Sequence, residues 1–255
     1  MRSAYFLLVA CSSAEAPARR TAAPAPSTTA APVALDAGRE RPGTDPAPLG
    51  RVLSAYVVHG FFDYAGLRAD VARRADLDAF LADVADDPSP DLATLLDAYN
   101  AFVIAEVVSG EPVRSVMDVR GFFDRPKRRV GGREVSLNQL EKEWILPEFH
   151  DARVHFALNC GARSCPALQS EPFRQVDLEA TLERVTREAL GNDVHLRLEG
   201  RSVRVTSLFD WYRADFEPSG GVVAFIRRYR ADVPEDARVG FLRYDWRINE
   251  APPRE

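Results

Sequence analysis

The segment KRRVGGREVSLNQLEKEWI, residues 127–145, places a β-hairpin directly before a helix and thereby decides the fold class. Lys127–Val130 and Arg133–Val135 flank a Gly-Gly pair, which is typical of a tight turn between antiparallel strands. Ser136 and Gln139 have the spacing of a capping box, which predicts that a helix begins there and continues to the end of the segment. A strand pair followed at once by a helix indicates α+β structure.

The chain on both sides of this segment continues the mixture of helices and strands. Periodic apolar residues predict helices over Leu67–Val84, Asp91–Val108, Val176–Leu190 and Gly220–Arg230. Alternating or continuous apolar runs predict strands over Arg153–Leu158, Val194–Leu198, Ser202–Thr206 and Phe241–Arg247. We therefore expect one α+β domain with a largely antiparallel sheet packed against several helices, papain-like or transglutaminase-like in architecture.

Residues 1–11 resemble the signal and lipobox of bacterial lipoproteins. A positive start is followed by a short apolar run and by Leu8-Val9-Ala10-Cys11. A transmembrane helix needs about 20 apolar residues, which is far more than this run provides. The resemblance implies that Cys11 is lipidated and that the membrane is a partner through this anchor. Ser12 after the cysteine indicates the outer membrane of the bacterial cell envelope, with the protein facing the periplasm.

The composition divides the remaining chain into a tether, a domain and a short tail. Residues 12–49 are rich in Ala, Pro, Ser and Thr and contain seven of the 18 prolines. Such a composition cannot bury enough apolar surface to fold, so we expect a disordered spacer. Residues 50–250 have the length of a single globular domain, and residues 251–255 form a tail.

Charge and cysteine spacing argue against several classes of partner. The net charge is −5, and the one basic run, Arg125–Arg129, lies beside the predicted hairpin turn. We expect it to be a solvated face, so no nucleic acid is predicted as a partner. Four residues separate Cys160 from Cys165, which is not a zinc-ribbon spacing, and no second Cys/His cluster completes four ligands. We predict no metal site and no cofactor.

Residues 155–166, HFALNCGARSCP, hold the strongest candidate site. Cys160 follows an apolar run and opens a glycine-containing loop, where a thiol can face a cleft. Arg153 and Arg163 favour the thiolate, and His155 is the nearest candidate base. On a straight strand, however, His155 and Cys160 point to opposite faces, so they meet only if the chain turns at Asn159.

A disulfide between Cys160 and Cys165 is the alternative to a free thiol. The bacterial envelope is oxidising, and closing so short a loop stabilises the fold by about 2 kcal/mol. The bridge requires the loop to bring the two Cα atoms within about 7 Å. A bridged Cys160 is not a nucleophile until it is reduced, so the thiol and disulfide hypotheses exclude each other.

Several polar and aromatic residues lie on otherwise apolar elements. Asp97 and Asn100 share a helix face, and Glu141 lies near the core side of its helix. Each is a candidate for orienting the catalytic histidine or for a structural network between helices and sheet. Asp215, close to Trp211 and Tyr212 in sequence, is equally consistent with a charge on a helix surface. Four aromatic residues either pack the core or line a groove for a peptide or glycan: Trp211, Tyr212, Tyr244 and Trp246.

Several separated motifs occur across the domain: Ala98-Tyr99-Asn100-Ala101, Ser136-Leu137 with Leu140-Glu141, Ile145-Leu146-Pro147, His155–Gly161 with Ser164-Cys165-Pro166, Phe209–Tyr212 with Asp215-Phe216, and Tyr244-Asp245-Trp246. In this order they resemble the family catalogued as domain of unknown function 547. The family usually carries Trp-Ile-Asn where this chain has Leu95-Leu96-Asp97. The resemblance implies a shared fold and a site around Cys160, but it does not indicate a substrate.

Three functional hypotheses remain open from the sequence. The first is a thiol-dependent hydrolase or transferase acting on an envelope peptide or amide, with Cys160 as nucleophile, His155 as base, and Asp97, Asn100 or Glu141 orienting it. The second is a non-enzymatic binding or scaffold module with a Cys160–Cys165 disulfide. Thiol–disulfide exchange is the third, although the spacing is not Cys-x-x-Cys.

Overall fold

The computed structural model describes residues 43–252, and helices dominate the first part of this range. Four of them come in succession: α1 (Ala47–Tyr56), α2 (Tyr64–Ala69), α3 (Val71–Asp86) and α4 (Leu92–Ser109). The side chains of Asp63, Asp70 and Asp91 accept backbone hydrogen bonds in the first turns of α2, α3 and α4. Each of these three helices therefore begins at a capping aspartate.

The start of α1 shifts the boundary between tether and domain. This helix begins at Ala47, so the last residues of the segment 12–49, predicted to be disordered, belong to a helix. The lipobox with Cys11, most of the tether and residues 253–255 of the tail lie outside the described residues. A short antiparallel pair, β1 (Val57–Val58) and β2 (Phe61–Phe62), follows α1.

The predicted helix Leu67–Val84 is divided into two helices. Asp70 has extended backbone angles, φ −94° and ψ 98°, and its side chain accepts a hydrogen bond from the Arg73 N–H. An aspartate that bonds a backbone N–H three residues later favours a new helix start over continuation. The prediction of one continuous helix was therefore wrong at this point, although the apolar face of α3 is buried as expected.

Helix α4 is the central helix of the domain. Leu92–Ser109 is long and apolar enough to span a membrane, but 78% of this helix is buried inside the protein. A helix that is apolar on nearly all sides is stable in water only when other parts of the protein cover it, as they do here. The predicted helix Asp91–Val108 is confirmed, with Asp91 as its cap.

The hairpin and capping box of the opening segment are both present. Strands β3 (Arg128–Val130) and β4 (Arg133–Val135) pair in antiparallel fashion. Gly131 and Gly132 both have positive φ, as such a turn requires. The Ser136–Gln139 capping box opens α5 (Leu137–Gln139), which continues as a π-helical turn over Leu140–Ile145 and as α6 (Leu146–Phe149).

The predicted strand Arg153–Leu158 is wrong. Ala152–Phe156 form a 3₁₀ helix, which begins where the Asp151 side chain accepts a hydrogen bond from the Arg153 N–H. Val154 packs in the core around α1–α4, whereas Phe156 packs in a second core near the C-terminus. A short apolar run is buried in either conformation, so its hydrophobicity did not distinguish a strand from a helical turn.

The C-terminal part of the domain combines one long helix with a small sheet. The helices are α7 (Leu178–Leu190), α8 (Leu208–Trp211), α9 (Arg213–Phe216) and α10 (Val222–Arg227). The strands are β5 (Leu196–Glu199), β6 (Ser202–Val205) and β7 (Arg238–Phe241). The sheet order is β5-β6-β7; β5 pairs antiparallel and β7 parallel to β6.

The closing strand lies earlier in the chain than the sequence indicated. We predicted Phe241–Arg247, but β7 ends at Phe241, and residues 242–247 pass outside the three-stranded sheet. This displacement brings Tyr244 and Trp246 to the functional site. The domain is α+β, as predicted, with small and largely antiparallel sheets packed against helices.

Candidate functional site

The loop of residues 157–166 is held by three buried asparagines, which we call the asparagine network: Asn100, Asn159 and Asn249. Asn100 of α4 donates to the Ala157 carbonyl at 3.0 Å and accepts from the Asn159 N–H at 2.8 Å. The Asn159 side chain donates to the Pro166 carbonyl at 2.7 Å and accepts from the Gly161 N–H and from Asn249. Every side chain in this network has protein partners.

Within this loop Cys160 and Cys165 form a disulfide. Their Cα atoms lie 6.2 Å apart, within the range that a bridge requires. The chain reverses at Gly161, whose φ of +82° suits glycine, and a Cβ at this position would lie 3.0 Å from a Val116 methyl. The Cys160 N–H donates to the Cys165 sulfur at 3.0 Å, which further fixes the turn.

His155 lies on the 3₁₀ turn between the two cores and is almost completely buried. Its Nε2 lies 2.7 Å from an Asp215 carboxylate oxygen, and its ring stacks on Tyr212 with centroids 4.1 Å apart. Asp215 belongs to α9, so the closing helices of the domain supply the histidine's partner. A carboxylate bonded to one ring nitrogen fixes the orientation of an imidazole.

Glu141 lies on the π-helical turn and points into the protein, 7% exposed. It accepts a hydrogen bond from the Tyr212 hydroxyl. Burial and the nearby charge of Glu141 raise the pKa of Tyr99, Tyr212 and Tyr244 above the usual phenol value. We call Glu141 with Tyr99 and Tyr212 the carboxylate cluster. Its hydroxyls stay protonated at physiological pH and serve as donors.

Three aromatic rings form a continuous surface beside this cluster. Trp211 and Trp246 stack with centroids 5.6 Å apart, and Tyr244 lies within 4.8 Å of each. Trp211 is 47% exposed, which is unusual for a large apolar side chain. The Tyr244 hydroxyl approaches both sulfur atoms of the disulfide, at 3.5 and 3.4 Å. The rings therefore form one wall that reaches from solvent to the bridge.

These groups line a single cleft of about 350 Å³. That volume lies within the range of small-molecule sites, which are mostly apolar with a few convergent polar groups. Its walls comprise the aromatic surface, the disulfide, His155, Glu141 and several further side chains, among them Met117, Phe123, Asn138 and Lys142. Within residues 43–252, no cluster of three or more His, Cys, Asp or Glu side chains has a geometry that would hold a metal ion.

The structure brings together only part of the predicted site. Cys160, His155 and Glu141 line the same cleft. Asp97 does not: its carboxylate accepts from the Phe173 N–H at 3.2 Å, and burial raises its pKa well above the usual value. Asn100 belongs to the asparagine network. Neither orients His155, whose ring nitrogen instead bonds Asp215.

The sequence did not assign Asp215 to the site, and it left the residues of the aromatic wall open between core packing and a groove. Asp215 follows Trp211 and Tyr212 by four and three residues, so these side chains share a face if that segment is helical. This spacing was the available signal, but a carboxylate on a short amphipathic segment has the same appearance on any exposed helix. The wall also needs Tyr244 and Trp246, which were assigned to a strand.

The chemistry of Cys160 depends on the bridge. In the bridged state it has no thiol, so it neither attacks a carbonyl nor binds a metal. The predicted nucleophile and the predicted disulfide are thus the reduced and the oxidised state of Cys160, respectively, and the structure contains the oxidised state.

Comparison with known proteins relates the chain to one family. The family model described as "Protein of unknown function, DUF547" matches residues 87–189. This segment contains Asn100, Glu141, His155 and both bridged cysteines, whereas Asp215 and the aromatic wall lie beyond it. No match was found to a curated protein or to a solved structure. Residues 87–189 are thus similar to the DUF547 family, whose function is unknown.

Proposed function

We propose that this domain is a binding module whose disulfide-closed cleft holds a peptide or glycan of the bacterial envelope. The observation that carries the proposal is the aromatic wall of Trp211, Tyr244 and Trp246, which faces a 350 Å³ cleft with a half-exposed tryptophan at its rim. Flat aromatic faces bind sugar rings and apolar side chains through large contact areas at low entropic cost. The polar groups at the base of the cleft would orient the ligand.

The position of the module in the cell is part of the same proposal. The sequence pattern before Cys11 supports a lipid anchor in the outer membrane, with the domain facing the periplasm. The Pro-rich segment would then act as a spacer of about 3.1 Å per residue where it is extended. Substitution of Cys11 by Ser should move the protein from the membrane fraction to the soluble fraction. Retention of the Ser variant in the membrane fraction would contradict the anchor.

The binding proposal is tested by tryptophan fluorescence. The chain has three tryptophans, and Trp144→Phe leaves only Trp211 and Trp246, both in the cleft. We expect titration of this variant with an N-acetylglucosamine tetramer or with the peptide Ala-Lys-Ala to change the emission saturably for at least one probe. Adding Trp211→Ala should weaken that binding about 3- to 10-fold because one stacking face is lost. Absence of saturable binding to either probe would contradict the proposal.

A second candidate function is the thiol-dependent hydrolase or transferase. The observation that favours it is that Cys160 and His155 line the same cleft, while the Asp215 carboxylate bonds the His155 ring at 2.7 Å. After reduction, the Cys160 thiolate would attack an amide carbonyl to form a thioester, and the amine would leave with a proton from His155. Water or a second amine would then cleave the thioester. Asp215 would take the orienting role first considered for Asp97, Asn100 and Glu141.

The two candidates differ in their response to a reductant. The binding module should hold its ligand with the bridge intact. The thiol enzyme should release p-nitroaniline from peptide anilides only after reduction, and Cys160→Ala should abolish that release. Saturable binding by the oxidised protein, together with no anilide hydrolysis by the reduced protein, would support the binding module and exclude the thiol enzyme.

A further inference from the structure

We propose that the cleft recognises a primary ammonium group of its ligand, such as that of a lysine side chain, through the Glu141 carboxylate. This inference rests on the proposed binding function and names the chemistry of the ligand at the same site. It follows from the charge of the carboxylate cluster, from the other charged groups of the cleft and from the aromatic faces around it.

The carboxylate cluster holds a buried negative charge that has no positive partner in the described part of the chain. Glu141 is 7% exposed and accepts from Tyr212, a neutral donor. Among residues 43–252, no Lys, Arg or His nitrogen lies within 4.0 Å of its oxygens, although 14 such ion pairs occur elsewhere in this range. A buried charge is costly unless it is paired. A cation supplied by the ligand would provide the missing partner.

The charged groups around the cleft other than Glu141 do not take this role. Asp215 is not among the described residues that line the cleft, and its carboxylate is bonded to His155 at 2.7 Å. Lys142 follows Glu141 in sequence, but it is exposed and forms no ion pair with it. Glu141 is therefore the acidic group of the cleft that is left for a ligand.

The surroundings of Glu141 suit a cation that carries N–H donors. Tyr212, Tyr244 and Trp246 line the same cleft, and aromatic rings attract cations to their faces. A primary ammonium has three donors, which the carboxylate can accept directly. Three rings and one carboxylate thus offer both kinds of contact to an alkylammonium chain.

The test compares two peptides that differ in one charged group. Ala-Lys-Ala and Ala-norleucine-Ala have similar apolar stems, and only the first carries the ammonium. Calorimetric titration of the oxidised protein should give a Kd about 10- to 100-fold lower for the lysine peptide, because hydrogen bonds to charged groups are the strong ones. Glu141→Gln should abolish this preference and leave the norleucine Kd nearly unchanged. Glu143→Gln, an exposed glutamate two residues away, should retain it.

The outcomes separate this inference from the proposed function. Equal binding of both peptides by the unmodified protein, weakened by Trp211→Ala, would overturn the ammonium site and keep the binding module. Retention of the lysine preference by a folded Glu141→Gln protein would also overturn the ammonium site. Failure of the protein to bind either peptide or the N-acetylglucosamine tetramer would overturn both proposals.

Discussion

The asparagine network and the carboxylate cluster are both buried polar groups, but only the first is closed. Each side chain of Asn100, Asn159 and Asn249 bonds another part of the protein, so the network fixes the loop of residues 157–166. Glu141 has a tyrosine donor and faces a cleft, with no cation beside it in the described residues. The comparison indicates that the network serves the fold, and it underlies our proposal that the cluster is available to a ligand.

The largest expected effect comes from breaking the closed network. Asn159→Ala leaves the Pro166 carbonyl, the Gly161 N–H and the Asn249 amide without their partner. Because unsatisfied buried groups cost about 1–3 kcal/mol each, the free energy of unfolding should fall by about 3–5 kcal/mol. Urea denaturation measures this loss. Asn192→Ala, at an exposed turn, is the control and should cost no more than about 1 kcal/mol.

A smaller effect is expected from His195, which lies beside the network. It lines a small cavity with Asn159 and Asn249, and its Nδ1 has no hydrogen-bond partner within residues 43–252. Burial lowers the pKa of His195 to about 4. Between pH 6.5 and 4 the unfolded chain binds a proton that the folded protein excludes, so the free energy of unfolding falls as the pH falls.

Replacement of His195 removes that dependence on pH. His195→Gln should lose less stability than the unmodified protein between pH 7 and about pH 4.5, by on the order of 3 kcal/mol at most. Denaturation at the two pH values measures the difference, and the values at pH 7 account for any change in packing. Identical pH slopes for both proteins would contradict a neutral, buried His195.

The smallest effect on stability is expected from Glu141. Glu141→Gln keeps a carbonyl acceptor for Tyr212 and removes a buried charge that has no cationic partner within residues 43–252. The free energy of unfolding should therefore stay within about 1 kcal/mol of the original value or rise. A loss near that of Asn159→Ala, seen in the same urea titration, would show that the carboxylate cluster also serves the fold and would remove the contrast.

The sequence predicted the fold where local signals determine structure. The Gly-Gly hairpin, the Ser136–Gln139 capping box and the helix capped by Asp91 are all present. The local pattern failed in the segment that packs against both cores. Val154 and Phe156 pack in different cores, and their apolar run predicted a strand where the structure has a 3₁₀ helix. Asp70 is a residue type that commonly caps helices, but the apolar periodicity on both sides of it predicted one continuous helix.

The sequence predicted the site residues that lie close together in the chain and missed those that come from distant segments. His155, Cys160 and Glu141 come from one part of the chain and do line one cleft. The turn of the chain after His155 removes the strand geometry that would have kept the histidine and the cysteine on opposite faces. Tertiary packing brings Asp215 to His155 across 60 residues and Tyr244 to Cys160 across 84 residues, which no local pattern encodes.

The central claim, that the cleft acts with its bridge closed, is tested most directly by the state of Cys160 and Cys165 in the protein isolated from cells. The chain is expressed in a bacterial host, trapped with iodoacetamide at lysis and analysed by mass spectrometry without reduction. We predict peptides joined through Cys160 and Cys165 and no alkylation at either residue. A free Cys160 that alkylates rapidly near neutral pH, beside an inert Cys165, would contradict the binding module and favour the thiol enzyme.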